Sequence, residues 1–98
     1  MFSSPHWIGP PFVFDAAKEA ANQLKHGISL KLAELADWHA AHVKPDTRRE
    51  YGEVRLTCRV PIRTRIHVAI VVPRERTFRI ISLRKANNRE VQDYEQAR

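Results

Sequence analysis

Two periodicities divide the chain. Behind Asp15, whose carboxylate suits a helix N-cap, Ala17, Ala21, Leu24 and Ile28 recur at helical spacing, and Gly27 suits the left-handed residue that closes such a helix. Ser29 offers a second N-cap, and Leu32, Leu35 and Ala36 form an apolar stripe that predicts a second helix running to about Trp38. Ahead of both, Phe12-Val13-Phe14 is a short β-prone run after Pro10-Pro11. The segment His39 to Glu50 is polar, contains Pro45-Asp46 and has no period, which predicts a connecting loop.

Beyond the loop the period is two. Val54, Leu56, Cys58 and Val60 alternate with Glu53, Arg55, Thr57 and Arg59, the pleat of a strand with one buried and one open side. Ile66, Val68, Ile70 and Val72 repeat the alternation, and Phe78, Ile80 and Ser82 carry it into a third strand ending near Arg84. Pro61 and Pro73 fall at strand ends, where a missing N–H does least harm, and the short connections predict an antiparallel meander. Asn87-Asn88-Arg89-Glu90 reads as a capping box opening a last helix, with Val91 and Tyr94 spaced to dock on the sheet. The predicted fold is α+β: two N-terminal helices, an antiparallel β-sheet meander and a C-terminal helix, in the order β-α-α-β-β-β-α.

With 98 residues there is material for one core, so residues 12–98 are expected to form a single domain behind an N-terminal arm of residues 1–11. A hydrophobic fraction of 43% beside 29% charged residues marks a folding sequence rather than a disordered one. The longest apolar run, Ile66 to Val72, is broken by His67 and falls far short of the roughly 20 residues a bilayer span needs. The first residues have neither the basic start nor the apolar stretch of a secretory signal, so a cytoplasmic protein without membrane attachment is expected. The single cysteine, Cys58, has no disulfide partner and is expected to be a buried strand residue, a catalytic thiol being the lesser alternative.

The net charge of +6 is unevenly spread: Met1 to Val43 carries −1 and Lys44 to Arg98 carries +7. Such asymmetry sets up a positive potential over one side of the fold, suited to nucleic acid or an acidic protein. If the alternate apolar positions face the core, the opposite sheet face gathers Glu53, Arg55, Arg59, Arg65, His67 and Arg79. Cleaving RNA through its own 2′-hydroxyl needs a base for that proton, cations for the phosphorane and an acid for the departing 5′-oxygen, and this face offers each type. On composition alone, a solvated sheet face with cross-strand ion pairs is the simpler reading. His39-x-x-His42 has ligand spacing but no third ligand, so no metal site is expected, and no phosphate loop or dinucleotide fingerprint calls for a cofactor. With one carboxylate on the face, any cleavage is expected to be metal-independent and restricted to RNA. Trp7, Trp38 and Tyr94 are the aromatics weighed for base stacking, although core or interface packing is the commoner fate.

Three ordered segments carry a family resemblance. Phe12-x-Phe-Asp15-x-x-Lys18-x-x-x-Asn22-x-x-Lys25-His26-Gly27-Ile28-Ser29, Tyr51-Gly52-Glu53-Val54-Arg55, and Arg79-Ile80-Ile81-Ser82-Leu83-Arg84-Lys85-Ala86 with Glu90 and Tyr94 are similar to the signatures of BrnT toxins. The resemblance implies a RelE-like ribonuclease fold, inhibition of translation by RNA cleavage, and neutralisation by a BrnA-type antitoxin that alone brings the complex to DNA. It implies functional roles for Lys25, His26, Glu53, Arg55, Arg79, Arg84 and Lys85. Joined with the face argument, Glu53, Arg55, Arg79 and His67 are the candidate catalytic residues, and Lys25, His26, Arg59, Arg65, Arg84 and Lys85 the candidate RNA contacts. A non-catalytic RNA- or ribosome-binding module on the same face is the competing reading. A DNA-binding regulator is disfavoured because no helix-turn-helix with a basic second helix is present.

Overall fold

The computed structural model of the chain describes residues 11–97, so most of the arm expected over residues 1–11 lies outside the described residues. Five strands form one sheet in the order β1-β5-β4-β3-β2: β1 Phe12–Phe14, β2 His42–Pro45, β3 Leu56–Ile62, β4 Arg65–Pro73 and β5 Phe78–Lys85. The predicted meander β3-β4-β5 is antiparallel, β2 joins its far edge antiparallel to β3, and β1 pairs parallel with β5. Helix α1 spans Ala16–His26 and α2 spans Asn88–Gln96.

Local chemistry starts and stops these elements as expected. Asp15 accepts from the backbone N–H groups of Ala17 and Lys18 at 2.8 and 3.1 Å, and Gly27, at φ 75°, ends α1. Asn87 and Glu90 exchange side-chain and backbone hydrogen bonds at 2.8 and 2.9 Å, completing the capping box of α2.

Four expectations need correction. The second helix is instead two 3₁₀ segments, Leu30–Leu35 and Trp38–Ala40. Its would-be α-helical bond is never made: the Ala33 carbonyl takes the Trp38 indole N–H at 2.8 Å, while the Asp37 N–H donates to Pro61 at 3.0 Å. The loop over His39 to Glu50 contains β2, an exposed edge strand whose register against β3 (Val43 with Cys58, Lys44 with Thr57) supplies what its own sequence does not signal. The strand expected from Glu53 begins only at Leu56, which leaves Glu53 and Val54 on a loop. Finally, Ala17, Ala21 and Leu24, the expected buried stripe of α1, are exposed, Leu24 at 91%. The helix is fastened instead by Asn22, whose amide accepts from the Leu83 N–H (2.9 Å) and donates to the Leu83 and Ile28 carbonyls (2.8 and 3.0 Å). That amide serves the backbone groups of β5 beyond the end of β1, as a strand would.

The core lies on one side of the sheet, where Cys58, Val60, Ala69, Val71, Ile80 and Leu83 meet Leu30, Ala33 and Trp38, with Phe12 and Phe14 packed against them. Ile80 and Leu83 both reach this side because a register shift, Ile70 opposite Ser82 but Val71 opposite Ile80, leaves Ile81 as an extra residue. The bulge reverses the alternation of β5, so Ser82, expected beside Ile80, faces the other way. Burial pushes the Cys58 thiol pKa up to about 12, which keeps it protonated and removes the thiolate a catalytic role would need.

Candidate nucleic-acid interface

The sheet side opposite the core has an apolar floor and cationic rails. Register sets Thr57, Ile70 and Ser82 in one row and Arg59, Val68 and Arg84 in the next, while Arg79 stands opposite Val72. Arg55, one residue ahead of β3, continues the same alternation. Val68, Ile70 and Val72 of the central strand therefore lie between β3, with Arg55 and Arg59, and β5, with Arg79 and Arg84, on rails about 10 Å apart. Val68 and Val72 are only 3% and 2% exposed, a covering that suits the long aliphatic stems of flanking arginines.

The guanidiniums are held in different ways. Arg84 makes a paired contact with Glu90, both hydrogen bonds 2.8 Å long. That pairing raises the Arg84 pKa and, as its largest cause, lowers the Glu90 carboxyl to about 2. Arg59 makes a long contact to Asp93 of α2, 3.7 Å. Arg55 lies 3.5 Å from Glu53, which also meets Arg74 at 3.6 Å. The Nε atoms of Arg59 and Arg79 are buried without a hydrogen-bond partner among the described residues, and that of Arg55 has only the 3.5 Å contact to Glu53. Unpaired buried donors cost free energy, so two on one face are conspicuous.

Beside the rails opens a cleft of about 530 Å³, lined by Lys25, His26, Lys44, Arg48, Arg84 and Glu90 among others, with Thr57, Ile70 and Ser82 on its floor. The Asn22 tether to β5 brings the C-terminal turn of α1, and with it Lys25 and His26, to this cleft. Desolvation first, then the charges of Lys25 and Arg84, lower the His26 pKa. These surroundings favour the neutral imidazole. Both acidic groups of the cleft are engaged, Asp46 by Arg48 at 2.8 Å and Glu90 by Arg84, so Lys25 and Lys44 keep a net positive field there.

The structure brings the predicted residues together selectively. Arg55, Arg59, Arg79 and Arg84 share the face, Lys25 and His26 join it through α1, and Glu53 reaches Arg55 from its loop. His67 and Arg65 do not share it. Val60 opposite His67 places that imidazole on the core side, 5% exposed, with Nδ1 3.0 Å from the Arg65 carbonyl and, chiefly through desolvation, a lowered pKa. Arg65 donates to the Ala86 carbonyl at 3.2 Å, and Lys85 stands opposite His67. The error has a physical source: β4 is the central strand and apolar on both sides, so alternation cannot say which set faces the core. Lys44, Arg48 and Asp46 were missed because they lie on the segment read as a featureless loop. Proximity of Asp46-x-Arg48 was their only sequence signal. Among the described residues no three His, Cys, Asp or Glu side chains group as a metal set. No helix among them is long and apolar enough to cross a membrane.

The chain is a small α+β domain with an arginine-railed sheet face, whose charge suits a polyanion. Residues 14–90 match the family described as ribonuclease toxin, BrnT, of type II toxin-antitoxin system, and the chain belongs to that family. No curated protein matches the chain.

Proposed function

We propose that this chain is an endoribonuclease that cleaves RNA on the arginine-railed face without a metal ion, inhibiting translation, and that a BrnA-type antitoxin neutralises it and alone contacts DNA. The observation that carries the reading is the convergence of Arg55, Arg59, Arg79 and Arg84 on one apolar floor, with the buried Nε atoms of Arg59 and Arg79 lacking a hydrogen-bond partner among the described residues. Permanently charged, planar donors suit the equatorial oxygens of a phosphorane. The RNA 2′-oxygen attacks phosphorus, its proton passing to a base, the bond from phosphorus to the 5′-oxygen breaks, and an acid protonates that oxygen. The products are a 2′,3′-cyclic phosphate and a 5′-hydroxyl. Glu53 and His26 are the proton carriers on this side of the sheet; His67, turned to the core, is replaced in that role by His26. Arg55 and Arg79 stabilise the phosphorane, and Lys25, Arg59 and Arg84 hold flanking phosphates. The antitoxin is expected to cover part of this face, the most direct block to polyanion entry.

A non-catalytic RNA-binding module is favoured by one feature, the engagement of Glu53 by two arginines. The two readings part in one experiment. Purified protein is incubated with RNA in excess chelator and the ends are analysed. Expected are 2′,3′-cyclic phosphate and 5′-hydroxyl ends, with Arg55→Ala and Arg79→Ala each lowering the rate by roughly 10²–10⁴-fold and Lys31→Ala unchanged. Binding without cutting supports the module, and activity lost to chelator and restored by magnesium overturns the mechanism.

A further inference from the structure

RNA-binding faces usually pair phosphate contacts with an aromatic on which a base can stack. Of the aromatics weighed from sequence, Trp7 lies outside the described residues. Trp38 is 6% exposed with its indole N–H given to Ala33. Tyr94 is 4% exposed, stacks on His42 at 4.2 Å and donates to the Ala40 carbonyl at 2.6 Å. Neither described ring is open to a base.

Tyr51 is different. It is half-buried on the loop between β2 and β3, with its ring centre 4.1 Å from the Arg55 guanidinium carbon and 5.5 Å from that of Arg49. Its phenol donates to Asp46 at 3.2 Å, and the same carboxylate, with its side chain 1% exposed, takes the Arg48 backbone N–H and both guanidinium contacts. This knot orients the ring before any ligand arrives, so little side-chain entropy remains to be lost on binding. The ring lines an open cleft of about 610 Å³ together with Val54, an apolar side chain 62% exposed. Pro45, Asp46 and Thr47 line this cleft and also the one that holds Lys25, Lys44 and Arg84. A cationic track and an aromatic platform thus meet across one short wall.

We propose that Tyr51, backed by Arg55 and edged by Val54, is a nucleobase-stacking subsite for single-stranded RNA, whose adjoining phosphates lie against Lys44 and Arg84. This rests on the ribonuclease reading of the same face and adds how the enzyme grips a base. Arg49, exposed and the more distant guanidinium, moves aside or closes over the base. Stacking on a π-face tolerates any base, so the subsite supplies affinity and register more than strict sequence choice.

The test is fluorescence anisotropy with a labelled 2′-fluoro RNA hexamer, which lacks the attacking hydroxyl, and a matching oligomer carrying abasic sites. Tyr51→Leu is expected to weaken the base-bearing hexamer roughly 10- to 100-fold and the abasic oligomer far less, while Tyr51→Phe, which keeps the ring and loses only the phenol contact to Asp46, weakens the hexamer much less than Tyr51→Leu does. Equal losses on both oligomers, or unchanged binding of the hexamer by Tyr51→Leu, overturn the subsite alone. A Tyr51→Phe loss as large as that of Tyr51→Leu also overturns it, because the hydrogen bond to Asp46 would then be what matters. Wild-type protein that binds neither oligomer overturns the ribonuclease reading as well. Should thermal melts show Tyr51→Leu unfolded, Tyr51→Trp decides: binding of the hexamer at least as tight as wild type is expected, and a loss of it counts against the subsite.

Discussion

The central strand buries apolar residues on both of its sides and puts them to different use. On one side Ala69 and Val71 disappear beneath Leu30, Ala33 and Trp38. On the other, Val68 and Val72 are nearly as inaccessible, yet the residues paired beside them are Arg59, Arg84 and Arg79. A hydrocarbon lid gives stability and nothing else. A lid of arginine stems suits the floor on the other side, covering it while the charged heads stay at the surface. The comparison teaches that burial by itself does not identify the core side of a sheet; the chemistry of the covering groups does.

Emptying the hydrocarbon side should have the largest effect on stability. Leu83 is fully buried, and Leu83→Ala is expected to cost about 2–5 kcal/mol in denaturant unfolding. Arg79→Ala on the other side should cost much less stability while lowering RNA cleavage, and a stability loss as large as that of Leu83→Ala would erase the distinction between the sides.

The tether between the sides comes next. Asn22→Ala leaves the Leu83 N–H and carbonyl and the Ile28 carbonyl without their side-chain partner, an expected loss of about 1–3 kcal/mol. It should also weaken RNA binding, although Asn22 is not among the residues lining the cationic cleft, because it loosens the turn that carries Lys25 and His26. Isothermal unfolding and a salt titration of RNA affinity would check both. Unchanged affinity would mean that α1 holds its place without this amide.

The smallest effect is a separation in pH. His67 on the core side has a folded-state pKa below its ordinary 6.5, so folding excludes the proton; its contribution is full above 6.5 and is lost as the pH falls through the lowered value. Glu90 on the cationic side is lowered from 4.5 to about 2, so its contribution holds above 4.5 and fades as the pH drops from there towards 2. Stability measured against pH should therefore fall in two stages, the first beginning near neutrality and the second below 4.5. Glu90→Gln should shrink the second stage, to which the lowered carboxyls of Asp15, Glu19 and Asp46 also contribute, and an acid limb identical to that of wild type would show that the Arg84 contact contributes nothing.

The sequence determined what is local or carried by a strong pattern. The Asp15 and Asn87 caps, the Gly27 stop and the alternation of β3 rest on contacts within a few residues, and they stand where the residues place them. The same alternation put Arg55, Arg59 and Arg79 on one side. Its charge asymmetry and three family segments also marked the chain as a toxin of the BrnT family, in agreement with the match over residues 14–90. Tertiary structure decided whatever depended on a partner distant in sequence. The side to which His67 turns was set by register with Val60, the position of Arg84 by the extra residue Ile81, and the existence of β2 by the free edge of β3. Asn22, polar and mid-helix, gave no sign that its amide would dock on β5 61 residues away. Period two marks a strand but not its inward face when both faces are apolar, and no local pattern encodes a hydrogen bond whose acceptor arrives only when the sheet closes.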